Sequence, residues 1–414
     1  MNRAILHCDM NNFYASVECI LRPELRDKPL AVCGKAEERH GIVLAKNYLA
    51  KACGVSTGEA IWQAKMKCPN LVTVDPHYRE YIRYSRLARE VYAYYTDQVE
   101  PYGMDEVWLD VTASRRLYGS GEEIAHKIRE QIKTELGLTV SVGVSFNKIF
   151  AKLGSDLKKP DAVTCITYEG FREQIWGLPA SDMLGVGRAT AKILRMYGIN
   201  TIGELAKAPE DFLTLKFGIN GRRMKQFANG EDYSKVMEQD FSYPVKSVGN
   251  GTTFLQDLYD ENEVWPMILA LSDRVCHRLR EAVKRACGVS LTVKCPDLSW
   301  KEWQTRLETP SYSALDIAGR AFELFRKNYP WVKPIRALYI RAISLCDADT
   351  PCQLTLYSDG ERLQRKDTID RTVDKIRQLF GSRSIINAAI LKLDKMPGID
   401  DDVELTLPTG MLTL

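Results

Sequence analysis

Hydrophobic periodicity changes character twice along this 414-residue chain, and no single core can follow both changes. Up to about residue 165, short apolar runs alternate with helical spacing. Ala4 to Cys8 reads as a buried strand ending in Asp9, and Phe13 to Ile20 as a helix. Pro29 to Cys33 reads as a strand closed by Gly34, and Arg79 to Tyr95 and Ile124 to Leu136 as amphipathic helices. Val107 to Val111 and Thr139 to Val144 read as strands, and Asn147 to Leu157 as a helix stopped by Pro160. Phe171 to Asp232 offers only short helices separated by Gly and Pro. The polar stretch Glu238 to Pro244 lacks periodicity and marks a boundary. Beyond it, strand-like Val289 to Lys294 and Ala337 to Ile343 alternate with helical Glu261 to Ala286 and Tyr312 to Asn328, and a charged helix spans Glu361 to Phe380. One core rarely grows past roughly 250–300 residues, so an α+β multidomain chain is expected.

Composition narrows the class further. With 45% hydrophobic and 27% charged residues, a wholly disordered, collagenous or membrane-spanning chain is excluded. Lys+Arg 57 against Asp+Glu 54 leaves net +3, so any surface for a polyanion must be local. Eleven cysteines without a C-x-x-C read as small buried hydrophobes in a reducing compartment. No stretch approaches about 18 uninterrupted apolar residues, so a cytoplasmic protein without a membrane span is expected.

Three carboxylates stand at element edges: Asp9 after the first strand, and Asp105 with Glu106 at the start of another. Hard oxygen donors of this kind suit Mg²⁺, which shares its shell with water and phosphate oxygens, so a phosphoryl-transfer site is the natural reading. Taken alone, an acidic pair beside a strand is more often a solvated turn. Adjacent strand residues also point to opposite faces, so both can reach one metal pair only where the strand begins irregularly, as Gly103 would permit. Asp110 reads as a strand-end residue. The histidines His7, His40, His77, His126 and His277 show neither H-E-x-x-H nor a cysteine partner spacing and are read as structural. Leu184-Gly185-Val186-Gly187, followed by Arg188 and Lys192, sits between two short helices, where glycines let backbone N–H groups approach a phosphate. A lone G-x-G is usually only a turn.

Three blocks are far more specific. Asp9-Met10-Asn11-Asn12-Phe13-Tyr14-Ala15-Ser16-Val17-Glu18, then Met104 to Thr112, then Ser141 to Lys152 continuing to Ser155-Asp156 and Lys159-Pro160, together resemble the Y-family translesion DNA polymerases of the ImpB/MucB/SamB type. Leu184 to Gly187 and Lys246-Ser247-Val248-Gly249 extend the resemblance over about the first 345 residues. The branch resembled is the DNA polymerase IV type, while Asn11-Asn12 and Gly103-Met104 are shared with the mutagenesis-protein branch.

The resemblance implies a right-hand polymerase. Its palm would comprise residues 1–10 and 76–165, its fingers 11–75 and its thumb, with a helix-hairpin-helix, 166–233. A linker at 234–245, a little finger at 246–346 and a C-terminal tail at 347–414 would follow. It implies distributive, low-fidelity synthesis on primer-template DNA from dNTPs, without proofreading. Two Mg²⁺ ions would be held by Asp9, Asp105, Glu106 and the Met10 carbonyl. Tyr14 matches the family's steric gate under the sugar, its alternative being a core aromatic beside Phe13. Tyr48, Lys51 and Lys159 would contact the triphosphate, aided by backbone N–H groups at Phe13 and Tyr14. Lys51 stands where Arg is common and Ala45 where a hydroxyl is frequent, which predicts a weaker triphosphate grip. Phosphate contacts are expected at Gly185, Gly187, Arg188, Arg336 and Arg341. Lys and Arg number 15 against 11 Asp and Glu from Ser242 to Cys346, and Arg274, Arg278, Arg280, Lys284 and Arg285 read as a solvated face of one helix. Gln353-Leu354-Thr355-Leu356-Tyr357 resembles the peptide with which bacterial polymerases bind the sliding clamp, or else a tail strand packed on its own domain. A monomer is expected. The competing readings are a catalytically silent DNA-binding or recruitment subunit, which intact carboxylates disfavour, and a palm-type nucleotidyl cyclase, which has no use for the later motifs.

Overall fold

The structure, a computed structural model, describes residues 3–39, 41–241, 243–351, 360–382, 384–391 and 394–397. Two compact units divide the described residues, one made of those up to Gly34 and of Ile42–Tyr243, the other of Lys35–Gly41 and those from Pro244 on. Strands of the first unit are β1 (Ile5–Met10), β2 (Leu30–Cys33), β3 (Val43–Lys46), β4 (Val72–Val74), β5 (Val99–Pro101), β6 (Glu106–Asp110), β7 (Val140–Ser145) and β8 (Val163–Ile166).

A five-stranded sheet in the order β5-β6-β1-β7-β8 carries the first core, with β1 at its centre and buried throughout. Because successive side chains alternate, Leu6, Cys8 and Met10 join one face and Ile5, His7 and Asp9 the other. The first set packs with Phe13, Tyr81, Ala88, Tyr92, Ile124, Ile128 and Ile132 from the helices Phe13–Leu21, Tyr78–Tyr95 and Gly121–Leu136. Against the second lies the helix Lys148–Leu157, capped by Asn147, whose side chain accepts the Phe150 N–H at 2.8 Å. Gly143 permits that approach: a Cβ there would stand 1.9 Å from the Ala151 carbonyl oxygen. The pairing of β1 sets Asp9 opposite Glu106 on β6 and opposite Ser141 on β7.

A three-stranded sheet, β3-β2-β4, encloses its own small core of Ala31, Val43, Ala50, Val55, Ala64 and Leu71. After β8 come the helices Phe171–Ile175, Arg188–Met196, Ile202–Lys207, Glu210–Phe217 and Ile219–Ala228, buried around Phe171, Met183, Leu194, Leu205 and Leu213.

The second unit is an antiparallel sheet in the order β11-β10-β12-β9, built from β9 (Ser247–Leu258), β10 (Lys284–Lys294), β11 (Trp300–Ser311) and β12 (Ile335–Asp347). The helices Glu261–Glu281 and Ala314–Asn328 supply the rest of its core through Val264, Ile268, Leu271, Ile317 and Phe325. Two readings need correction here. The helix expected to run to Ala286 stops at Glu281, and Val283 adopts φ +52°. Lys284 and Arg285 therefore lie on β10, paired to Asp347 and Cys346 of β12, because strand pairing outweighs the helical propensity of this run. Nor is Arg280 solvated. It is almost buried and holds Asp374 of the helix Gly360–Phe380 at 2.5 Å. Among the described residues, no helix is long and apolar enough to cross a membrane.

Candidate active site

The irregular start of β6 shapes this site. Tyr102 and Gly103 donate their N–H groups to the Glu106 carbonyl at 2.9 and 3.3 Å, and Met10 donates to the Asp105 carbonyl at 3.0 Å. Asp105 thus precedes the regular strand, and it shares a cleft of about 360 Å³ with Asp9 and Glu106. Met10, Asn12, Phe13, Tyr14, Leu44, Ala45, Lys46, Thr57 and Met104 complete the lining.

Buried negative charge dominates the electrostatics. Asp9 is pushed up to about 6 by burial, against the pull of Lys159, whose Nζ lies 2.7 Å from Oδ2. Burial and the charges of Asp9 and Glu106 push Asp105 up to about 7. Burial would raise Glu106 as well, yet its contacts with His7 and Lys152 bring it down to about 2. Lys152 Nζ stands 2.5 Å from Glu106 Oε2, and His7 Nε2 lies 3.3 Å from the same oxygen, out of line for a full hydrogen bond. His7 itself is pushed down to about 4, chiefly by complete burial. Among the described residues, the carboxylates do not close round a common point, since lysines hold two of them. The donors are nevertheless all hard oxygens, and their crowded charge is what a divalent cation would relieve.

Beside the acids, the Tyr14 ring stacks on Tyr81 with centroids 4.2 Å apart and planes 10° from parallel. Tyr81 in turn donates to buried Glu18 at 2.5 Å, and His77 and Arg22 hold the same carboxylate. Phe13 is a core residue whose ring lies 5.7 Å from that of Tyr14. Tyr48 and Lys51 share the short helix Tyr48–Ala52, with Lys51 Nζ 5.6 Å from the Tyr48 ring centroid. Burial pushes the Tyr48 phenol up while nearby Lys159 pulls it down, so Tyr48, Lys159 and Asp9 form one neighbourhood. Lys51 is exposed and does not line the cleft. Lys46 does, with Nζ 3.0 Å from Thr57 Oγ1, and neither residue stands out in the sequence. His7, read as structural, is buried behind the carboxylates with Nδ1 2.8 Å from Ser155 Oγ.

The remaining candidates lie elsewhere. Gly185 has φ +91°, Gly187 caps the helix Arg188–Met196, and Arg188 is exposed on its first turn. Arg336 and Arg341 are on β12, Arg341 within 2.5 Å of Glu302 in a hollow of about 480 Å³ beside Trp300 and Tyr339. Gln353, Leu354, Leu356 and Tyr357 lie outside the described residues.

Comparison with known proteins supplies the kinship. The model of the impB/mucB/samB family matches residues 8–156, and that of the family's C-terminal domain matches residues 245–356. DNA polymerase IV of Acetivibrio thermocellus is 49% identical over 392 residues, covering 95% of this chain and 98% of its own. DNA polymerase IV 1 of Bacillus subtilis is 37% identical over 400 residues, covering 95% and 94%. A solved chimeric Y-family DNA polymerase superposes with TM-score 0.74 at 22% identity, over 83% of this chain and 99% of that one, and shares the fold. With matches to both domain models and whole-length relatives, the chain belongs to the impB/mucB/samB family, the Y-family DNA polymerases.

Proposed function

We propose that the cleft at the tip of β1 is where this chain, a DNA-directed DNA polymerase, performs low-fidelity, template-directed translesion synthesis, joining a dNTP to a primer 3′-hydroxyl. The observation that carries this reading is the convergence of Asp9, Asp105 and Glu106 with Tyr14 and Lys46 on one cleft. Membership of the family implies dependence on a divalent metal. We assign it as two Mg²⁺ ions held by Asp9, Asp105, Glu106 and the Met10 carbonyl. When bound, they supply charge neutralisation and in-line alignment for phosphoryl transfer. Tyr14 sets a flat ring under the sugar to exclude a 2′-hydroxyl. Lys159, Tyr48 and Lys46 supply donors for the triphosphate, with Lys51 nearby, and Phe13 and Tyr14 add backbone N–H groups.

In the same reading, residues 1–10 and 76–165 are the palm, 11–75 the fingers, 166–233 the thumb, 234–245 the linker and 246–346 the little finger. Gly185, Gly187, Arg188, Arg336 and Arg341 contact DNA backbone. Gln353, Leu354, Leu356 and Tyr357 bind the sliding clamp, and the protein works as a cytoplasmic monomer. The silent recruitment subunit is not favoured, since all three carboxylates are in place. Extension opposite an abasic site, with Mg²⁺ and then with EDTA, tests the proposal. Metal-dependent bypass is expected, and a chain that binds the damaged template without extending it would refute the reading.

A further inference from the structure

The ring of Tyr14 is held on more than one side, and one of the holds is a sulfur atom. Tyr81, from the helix Tyr78–Tyr95, is stacked on it, and the ring of Tyr78 meets it edge-on at 90°, centroids 6.1 Å apart. Stacked rings slide over one another more readily than they tilt, so these contacts fix the plane of the ring better than the place of its tip. The tip is fixed separately, because the Tyr14 hydroxyl donates to Met104 Sδ at 3.5 Å. The direction of that bond is unambiguous: a thioether accepts and has no hydrogen to give. Among the described residues Met104 is the one acceptor this hydroxyl has. Met104 is itself held in place, since its side chain is buried and its carbonyl accepts the Ser85 hydroxyl at 2.5 Å. Both Met104 and Tyr14 line the cleft, and Met104 directly precedes Asp105.

We infer that Met104 is a positioning residue for the gate: its thioether holds the Tyr14 hydroxyl and so sharpens the choice of deoxyribose over ribose. The inference rests on the reading of Tyr14 as the gate. A ring under the sugar excludes a 2′-hydroxyl only as far as it resists displacement, and a ring that yields slightly makes room for one oxygen. Stacking on Tyr81 opposes tilt, and the bond to Met104 opposes sliding. Losing the second therefore softens the gate without removing it. The expected effect is modest. A net hydrogen bond shifts an equilibrium by about two- to ten-fold, and a thioether accepts weakly, so the low end of that range applies.

The test is a double-mutant cycle on the full chain, reading the ratio of kcat/KM for a dNTP to that for the matching rNTP on one primed template. Met104→Leu keeps an apolar side chain of similar volume and removes the sulfur. It should lower the ratio by about two- to four-fold, chiefly by raising rNTP use. Tyr14→Phe keeps the ring, removes the hydroxyl alone and should lower the ratio equally. Combined, the two should do no more than either one, because each breaks the same bond. A merely structural effect of Met104→Leu would instead multiply with that of Tyr14→Phe. Should Met104→Leu fail to fold, Tyr14→Phe decides, and a wild-type ratio in it would overturn the proposal. An unchanged ratio in Met104→Leu, or losses that multiply in the double variant, would overturn it as well. Tyr14→Ala separates the layers: if it discriminates between the sugars as the wild type does, the gate reading itself fails, whatever Met104 does.

Discussion

Replacing Lys148 by Met should destabilise the first unit by about 3 kcal/mol. Lys148 Nζ lies 2.7 Å from Glu100 Oε1, with side chains only 11% and 6% exposed. It also stands 4.4 Å from the Trp108 ring centroid. Methionine keeps an apolar stem against that ring and removes the charge, so the loss falls on Glu100. Breaking a buried pair from one side costs about 3–5 kcal/mol. The low end applies because Glu100 keeps two donors, the Tyr243 hydroxyl at 3.0 Å and the Met237 N–H at 2.9 Å. At about 2–4 °C per kcal/mol for a unit of this size, its melting transition should fall by about 6–12 °C. Calorimetry of wild type, Lys148→Met, Glu100→Gln and the double variant forms a cycle in which the double should recover much of the loss, because no charge is left unpaired. A single variant melting with the wild type, or a double variant in which the two losses simply add, would refute the reasoning.

Four further outcomes are expected. Gly143→Ala drives a methyl into the Ala151 carbonyl, so the helix Lys148–Leu157 must lift; a loss of about 1–3 kcal/mol and slower extension should appear in melts and primer assays. Tyr14→Ala should admit ribonucleotides, and unchanged sugar selectivity in paired dNTP and rNTP incorporation would remove Tyr14 from the gate. Ala45→Thr should lower the dNTP KM by restoring a hydroxyl to the cleft, and steady-state kinetics without such a drop would count against a weakened grip. Finally, burial opposes the charge of Asp374, but bonds from His277 and Arg280 carry it down to about 2 from 3.8. A depressed acid stabilises above its unfolded value, so that contribution is intact above about pH 4 and lost as pH falls toward 2. Asp374→Asn should make the acid unfolding of the second unit shallower, and an unchanged acid limb would exclude this contribution.

Much of the site was legible because its chemistry is local in sequence. An apolar run ending in Asp9, an acidic pair before Val107 and the block from Ser141 to Pro160 lie on contiguous segments, and the structure brings Asp9, Tyr14, Asp105 and Glu106 to one cleft. The packing behind them was not legible. His7, Glu106 and Ser155 meet only through the pairing of β1 with β6 and the seating of a helix on Gly143, and single-residue patterns do not carry such long-range geometry. In the second unit, periodicity found the middles of β10 and β12 but missed β9 and β11. β11 alternates charged and apolar residues at a partly exposed sheet edge, so it has no apolar run. The false extension of a helix through Lys284 and Arg285 arose where propensity and strand pairing disagree.

The most direct measurement is single-nucleotide extension of a primed, undamaged template with Mg²⁺ and dNTPs, comparing wild type with Asp105→Ala/Glu106→Ala. The account predicts extension by the wild type, lost in the double variant while primed-DNA binding and melting temperature are retained. Equal extension by both would contradict the assignment of the cleft, and no extension by a wild type that still binds primed DNA would contradict the polymerase reading itself.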